Sequence, residues 1–207
     1  MTQPSLFAAA FGAVAVLSVA APLAAQPHRY FSSLQYSVAQ PIGDTHDFIP
    51  DFSWSGAAWE SRWMDRPHTS LGFLVGFNEF HRSKFGTENF EHGAITGDQY
   101  RYVLAAPLLF TAAWYFDTDR NNPRWYVGGG AGVEYVQQKF QIGLFDERRT
   151  NWRMVMMPEV GWMFPAWFGT GGIIALRYHL PASTPGLFNT GHQRFQFVSL
   201  SVGLGYR

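Results

Sequence analysis

The sequence predicts an all-β protein, an eight-stranded antiparallel up-and-down transmembrane β-barrel. Apolar residues alternate with small or charged residues in eight runs, and the connections between the runs alternate between long and short. Aromatic residues also gather toward the ends of the runs. A hydrophobic period of two is typical of strands, and alternating loop length is typical of barrels that cross a membrane.

Eight runs of alternating hydrophobicity follow one another along the chain. We place them at residues 29–39, 52–64, 69–81, 99–116, 125–139, 152–164, 170–180 and from 195 onward. Each run carries large apolar residues on one face and Gly, Ser or isolated charges on the other. The second run is irregular, because Trp54 falls on one parity whereas Trp59 and Trp63 fall on the other. A bulge near Gly56 would place all three tryptophans on one face.

The composition of the polar face predicts that it lines the interior. A soluble barrel turns its apolar face inward, whereas a membrane barrel turns that face toward lipid. The polar face here is built from Gly, Ser and isolated Glu or Arg, and the whole chain contains only two lysines, Lys84 and Lys139. Aromatic residues at the ends of a run, such as Tyr100 and Trp114, match the two interfacial girdles of a bilayer. We therefore expect the apolar face to contact lipid.

The connections predict how the barrel is oriented. The long ones fall near residues 40–51, 82–98, 141–151 and 181–194, and the short ones near residues 65–68, 117–123 and 165–169. Outer-membrane barrels join their strands by short periplasmic turns and longer external loops. An even number of strands returns both termini to the periplasmic side.

The first 25 residues form a separate segment that is small and apolar. We expect residues 1–25 to be a secretory signal peptide removed after Ala25; a genuine membrane helix is the alternative, although the apolar stretch is shorter than about 20 residues. Residues 26–207 then form a single outer-membrane β-barrel domain. Fifteen basic and fifteen acidic residues give no net charge, so a nucleic-acid partner is not expected.

Three stretches of the chain resemble a known family. Residues 106–109 read Ala-Pro-Leu-Leu, residues 125–133 read Trp-Tyr-Val-Gly-Gly-Gly-Ala-Gly-Val, and residues 202–207 read Val-Gly-Leu-Gly-Tyr-Arg. The chain resembles the small eight-stranded outer-membrane β-barrel proteins, which include the transmembrane domain of outer-membrane protein A and the opacity-type, porin-like adhesins. The resemblance implies a bacterial outer-membrane location, with lipid, lipopolysaccharide and the barrel assembly machinery as partners. Members usually end on Phe or Trp, and this chain departs from them by ending on Arg207.

Charged residues on the polar face are the first candidates for function. Six residues share the interior parity of their runs: Arg101, Glu134, Arg153, Glu159, Arg177 and His179. Glu134, Glu159 and Arg177 are expected to pair, because facing residues on adjacent strands lie about 5 Å apart. Such a network would form either a gated pore or proton path, or a polar core that compensates its own charges. The second reading is favoured, because side chains can fill an eight-stranded barrel.

An enzymatic alternative depends on His179 and Ser183. This segment resembles the lipid A deacylase barrels, which implies that Ser183 would be the nucleophile and His179 the base that takes its proton. The sequence departs from that pattern, since three residues separate the pair, Pro181 interrupts the run, and no Asp or Glu follows Glu159. We therefore expect a protein without catalysis, metal or cofactor.

The sequence thus predicts an integral outer-membrane protein with a structural or surface-binding role in the cell envelope. Lipid A modification is the second hypothesis and a narrow channel is the third. Binding to a protein partner would fall to the long external loops, where apolar residues lie among polar ones. The candidates in these loops are Phe85, Phe90, Phe145, Leu187 and Phe188.

Overall fold

The computed structural model describes residues 30–64, 66–90, 93–119, 122–143, 145–166, 169–182, 184–185 and 192–206. The predicted signal peptide and Arg207 lie outside these residues. The barrel strands are β1 (Tyr30–Ile42), β2 (Ser55–Trp63), β3 (Thr69–Phe90), β4 (Gly93–Tyr115), β5 (Arg124–Ile142), β6 (Phe145–Pro165), β7 (Thr170–Pro181) and β8 (Gln196–Tyr206). One short helix, α1 (Asp44–Phe48), follows β1, and a two-residue ladder joins Thr184–Pro185 to His192–Gln193.

The eight strands form a closed antiparallel barrel. Each strand pairs with the next along the chain, and β8 closes the barrel by pairing with β1 from Ser32 opposite Tyr206 to Ile42 opposite Gln196. The predicted all-β, eight-stranded, up-and-down architecture is therefore confirmed. Within the described part of the chain, no helix has the length and apolarity needed to cross a membrane.

The two ends of the barrel differ in how they are built. At one end, which we call the turn end, short connections join β2 to β3, β4 to β5 and β6 to β7. Tyr206 lies at the same end, because it pairs with Thr170 at the start of β7. At the opposite end, which we call the loop end, β1 leads into α1, and β3 and β4 are paired as far as Phe90 and Gly93.

Two of the four predicted long loops are strands instead. Residues 82–98 belong mostly to β3 and β4, and residues 141–151 to β5 and β6, so two long hairpins extend the barrel at the loop end. Across the first hairpin the hydroxyls of Thr87 and Thr96 are 2.7 Å apart. The backbone ladder continues there although the hydrophobic alternation stops. Both faces of such a hairpin contact water, so the polarity of a side chain no longer indicates on which face of the strand it lies.

The first predicted long loop, residues 40–51, folds over the mouth of the barrel. The backbone N–H of Ile49 donates to the carbonyl of Thr45, which closes the turn of α1. Ile49 is fully buried, and the Phe48 ring packs edge-on against Phe195 with centroids 6.3 Å apart. The segment therefore fills the loop end from inside rather than projecting from it.

The predicted bulge in the second run is present. Tyr36 pairs with Ala57 and Ala39 with Ser53, so three steps on β1 (39 − 36) oppose four on the partner segment (57 − 53). A Cβ on Gly56 would lie 2.8 Å from the carbonyl oxygen of Ser37, so a larger residue does not fit there. The extra residue resets the parity and places Trp54 and Trp63 on the outer face, where both are more than half exposed.

The outer surface of the barrel is apolar over its whole circumference. Large side chains exposed on it include Leu34, Leu71, Phe110, Val127, Met154, Leu176 and Leu204. Toward the turn end, Tyr30 stacks on Trp63 at 6.1 Å and Trp125 on Trp162 at 6.2 Å between centroids. An apolar band with aromatic side chains at its edge is the surface that a bilayer requires of a barrel.

Candidate functional site

Four charged side chains meet near the middle of the barrel interior. Glu60 and Arg62 come from β2, Glu159 from β6 and Arg177 from β7, and none is more than 6% exposed. Arg62 contacts Glu60 at 2.7 Å and Glu159 at 2.6 Å. Arg177 contacts Glu159 at 2.8 Å and Glu60 at 3.0 Å. The four therefore form a ring in which acids and bases alternate, which we call the central ring.

Neutral polar groups complete the hydrogen bonding of the central ring. Arg62 donates to the hydroxyls of Tyr115 and Tyr126 at 3.2 and 3.0 Å. Arg177 donates to the Ser201 hydroxyl at 2.9 Å, and the Gln35 amide donates to Glu60 at 3.0 Å. Buried charges are costly unless they are paired and hydrogen-bonded. The central ring meets both conditions.

A second buried ion pair lies apart from the central ring. Arg153 on β6 faces Glu134 on β5, and its Nε and Nη2 donate to Glu134 Oε2 at 2.8 and 2.6 Å. The structure therefore differs from the expectation that Glu134 pairs with Arg177. Glu134 pairs with Arg153, which lies directly opposite it on β6. Arg177 belongs to β7, the other neighbour of β6, and lies opposite Glu159.

His179 occupies an enclosed site on the inner face of β7. It is 2% exposed, its ring stacks on Phe197 with centroids 4.0 Å apart, and its Nε2 is 3.3 Å from the Ser199 hydroxyl. Ser183, the nucleophile of the deacylase hypothesis, lies outside the described residues. A deacylase must present its base to a lipid acyl chain, and His179 instead faces the barrel interior.

Arg101 lies nearer the mouth than the other five predicted interior residues. Its guanidinium donates to the Phe48 carbonyl at 3.1 Å and to the Gln99 side chain at 3.3 Å. Its guanidinium carbon, Cζ, also lies over the rings of Phe48 and Phe140, at 5.3 and 5.6 Å from their centroids. Arg101 therefore connects α1 to the barrel wall.

Apolar side chains fill the interior on both sides of the charges. Toward the turn end lie Phe31, Met64, Ala113, Tyr115, Tyr126, Met163 and Ile173. Toward the loop end lie Ala39, Ile49, Phe80, Val103, Ala105, Val136, Phe195 and Phe197. The cavity beside Arg177 and His179 measures about 10 Å³, which is roughly the room that one water needs. The described interior is a packed core rather than an open pore.

Comparisons with known proteins identify the architecture. No protein-family profile matches the sequence, and no curated protein matches it. Among solved structures, Neisserial surface protein A superposes with a TM-score of 0.53 at 14% identity, covering 86% of this chain and 96% of that chain. The attachment invasion locus protein Ail of Yersinia pestis gives 0.50 at 11% identity, with the same coverage. The chain has the fold of the small eight-stranded outer-membrane β-barrels. At these identities the likeness establishes the fold alone.

Several interior residues of this outer-membrane-type barrel escaped the sequence reasoning. Glu60 and Arg62 were missed although the predicted bulge near Gly56 already implies them, because it places both on the face opposite Trp59 and Trp63. Arg124, also missed, stacks on the Tyr115 ring at 4.0 Å at the turn end. Arg124 is the first residue of β5, so the alternating pattern, which begins at Trp125, did not indicate which face its side chain occupies.

The predicted surface-loop residues are only partly described. Phe85 lies on the extended part of β3 and is 69% exposed. Phe90 and Phe145 belong to the ranges of β3 and β6, but their side chains lie outside the described part of the structure, as do Leu187 and Phe188 altogether. Among the side chains that are described, no group of three or more His, Cys, Asp or Glu residues is placed to hold a metal ion.

Proposed function

We propose that the protein is an integral outer-membrane barrel that serves a structural or surface-binding role in the bacterial envelope, without catalysis. In this proposal the turn end and both termini face the periplasm, and the loop end faces outward. Lipid and lipopolysaccharide surround the apolar band, and the barrel assembly machinery inserts the exported chain. A protein partner would engage the loop end.

The observation that carries this proposal is the packed and charge-compensated interior. The central ring pairs each arginine with two carboxylates, and apolar layers pack on either side of it. Eight-stranded barrels have interiors that side chains can fill. We therefore favour a structural barrel over a channel.

Function would then lie on the loop end, which the two extended hairpins raise above the bilayer. A tilted strand crosses a membrane with about 9–11 residues, and β3 and β4 have 22 and 23. About half of each strand is therefore available outside the hydrocarbon. Paired hairpins that project from the barrel are suited to contact other envelope components.

Lipid A analysis tests the non-catalytic part of this proposal. Outer membranes from cells with and without the protein should contain the folded barrel only in the first case and should give identical lipid A mass spectra. Loss of an acyl chain in cells with the protein, abolished by His179→Asn, would establish the deacylase instead. Planar-bilayer recordings separate the third hypothesis: we expect no steady conductance, and reproducible unitary openings would establish a channel.

A further inference from the structure

Two arginines face each other directly at the mouth of the barrel. The register of β3 and β4 pairs Arg82 with Arg101, and the next inward pair toward the tip of the hairpin is Lys84 with Gln99. Like charges directly opposite each other on adjacent strands are destabilising. Three cationic side chains therefore lie together on two neighbouring strands at the mouth.

The same side chains line a cavity. Its volume is about 140 Å³, and its lining residues are Asp47, Arg82, Lys84, Gln99 and Arg101. One water needs roughly 10–15 Å³ of such volume. The cavity therefore has room for a group of several non-hydrogen atoms together with water. Phe48 of α1 accepts a hydrogen bond from Arg101 and packs on Phe195.

The described side chains that line this mouth cavity carry more positive than negative charge. Arg82, Lys84 and Arg101 supply three positive charges, and Asp47 supplies one negative charge among the lining residues. Asp51 adds a second carboxylate, 3.8 Å from Arg82 Nε and beyond ordinary hydrogen-bonding distance. The sum of these five groups is +1 (three minus two).

One of the cations is already held in position. Arg101 is fixed by its hydrogen bonds to the Phe48 carbonyl and to Gln99, and by the Phe48 and Phe140 rings beneath its guanidinium. A preorganised guanidinium loses little conformational entropy on binding. Arginine also presents a planar fork of donors that suits the oxygens of phosphate groups.

We propose that the mouth cavity binds a phosphate or sulfate monoester group, with Arg82, Lys84 and Arg101 as its cationic ligands. The inference rests on the proposed surface-binding role and gives the chemistry of what is bound. A tetrahedral oxyanion fits because its oxygens can accept hydrogen bonds from cationic side chains of both strands at once. Such a group is carried both by soluble acidic saccharides and by lipid headgroups.

Titration with inorganic phosphate tests this site. The mature barrel is refolded in a nonionic maltoside micelle, which contains no phosphate, and binding is measured by calorimetry against sodium chloride of equal ionic strength. We expect saturable binding that Arg82→Gln and Lys84→Gln each weaken about tenfold, as loss of a charged hydrogen bond does. Asp47→Asn should strengthen binding about threefold, because it removes a like charge at a solvent-exposed position.

The matched control is Arg148→Gln. It removes the same charge at the same end of the barrel, but Arg148 is exposed, bonds to Gln137 and does not line the cavity. Its affinity for phosphate should equal that of the unaltered protein. No saturable binding, or equal weakening by Arg148→Gln and Arg82→Gln, would overturn the proposal. Heat-modifiable mobility on gels confirms that each variant is folded.

A second arm distinguishes the source of the oxyanion. The titration is repeated in phosphatidylcholine nanodiscs with and without phosphatidic acid. A site filled by a lipid headgroup loses its affinity for free phosphate when phosphatidic acid is present, whereas a site for a soluble ligand keeps it; either result supports the oxyanion site. The two proposals can fail separately. An altered lipid A spectrum would overturn the non-catalytic function without affecting the phosphate titration. Absence of phosphate binding would overturn the oxyanion site without affecting the lipid A result.

Discussion

Glu159 lies directly opposite Arg177 on the neighbouring strand, and its Oε2 accepts a hydrogen bond of 2.8 Å from Arg177 Nε. The same arginine reaches across the barrel to Glu60 through Nη2. A single side chain therefore compensates two buried carboxylates that come from β2 and β6. Loss of Arg177 would leave both carboxylates dependent on Arg62 alone.

Replacing Arg177 by Gln should destabilise the barrel by about 3–5 kcal/mol, because Glu60 and Glu159 would then share only Arg62. Urea unfolding in nonionic micelles, followed by the heat-resistant folded band on gels, measures the loss. The exposed Arg148→Gln is the control and should change stability by less than about 0.5 kcal/mol. An unfolding midpoint of Arg177→Gln equal to that of the control would show that the central ring contributes nothing.

Glu134 and Arg153 should behave as one coupled unit. Each single change to Gln leaves an uncompensated buried charge, with a cost of about 3–5 kcal/mol. The double variant Glu134→Gln/Arg153→Gln should lose less than the sum of the single losses, by about 0.5–3 kcal/mol. Unfolding free energies of the four proteins in the cycle give this coupling, and strict additivity would contradict the pair.

Gly161 is required by an aromatic ring that lies over it. Tyr126 faces Gly161 across β5 and β6, and a Cβ at position 161 would clash with the ring and hydroxyl of Tyr126. Gly161→Ala should therefore displace Tyr126 from Arg62 and cost about 1–3 kcal/mol. Gly97→Ala is the matched control, because the atom nearest to its added Cβ would lie at 3.7 Å. Equal unfolding free energies for the two variants would exclude this packing.

A charged residue on the outer face of the barrel should cost more stability the closer it lies to the middle of the bilayer. Phe110 is 82% exposed on the outer face of β4, and Phe110→Arg should cost about 2–4 kcal/mol in a bilayer. Phe85, on the extended part of β3, is also exposed but lies beyond the band, so Phe85→Arg should cost less than about 1 kcal/mol. Unfolding in lipid vesicles measures both, and equal costs would contradict the assigned membrane position.

The sequence predicted the barrel strands well where lipid lies on one side and the packed interior on the other. There the two faces of a strand have different surroundings, and residues such as Leu71 and Phe110 identify the outer one. The prediction failed for residues 82–98 and 141–151, because both faces of those hairpins meet water and the alternation disappears while the backbone pairing continues.

The interior residues were predicted less completely, because in the sequence only their alternation with outward-facing residues identifies them. Glu60 and Arg62, half of the central ring, were not among the predicted interior charges, although the predicted bulge in β2 places both on the inner face. The folding of α1 into the mouth depends on contacts such as Phe48 with Phe195, which are distant in sequence. The pairing of Arg82 with Arg101 likewise becomes visible only once the hairpin register is known.

The most direct test of the account is quenching of tryptophan fluorescence by brominated acyl chains. Trp63, Trp114, Trp125 and Trp152 are each at least half exposed on the outer face. In vesicles of brominated phosphatidylcholine the refolded protein should lose most of its tryptophan emission relative to vesicles of the unbrominated lipid. Emission that is equal in the two lipids, from a polypeptide that stays monomeric in water without detergent, would contradict a barrel whose apolar face contacts the bilayer.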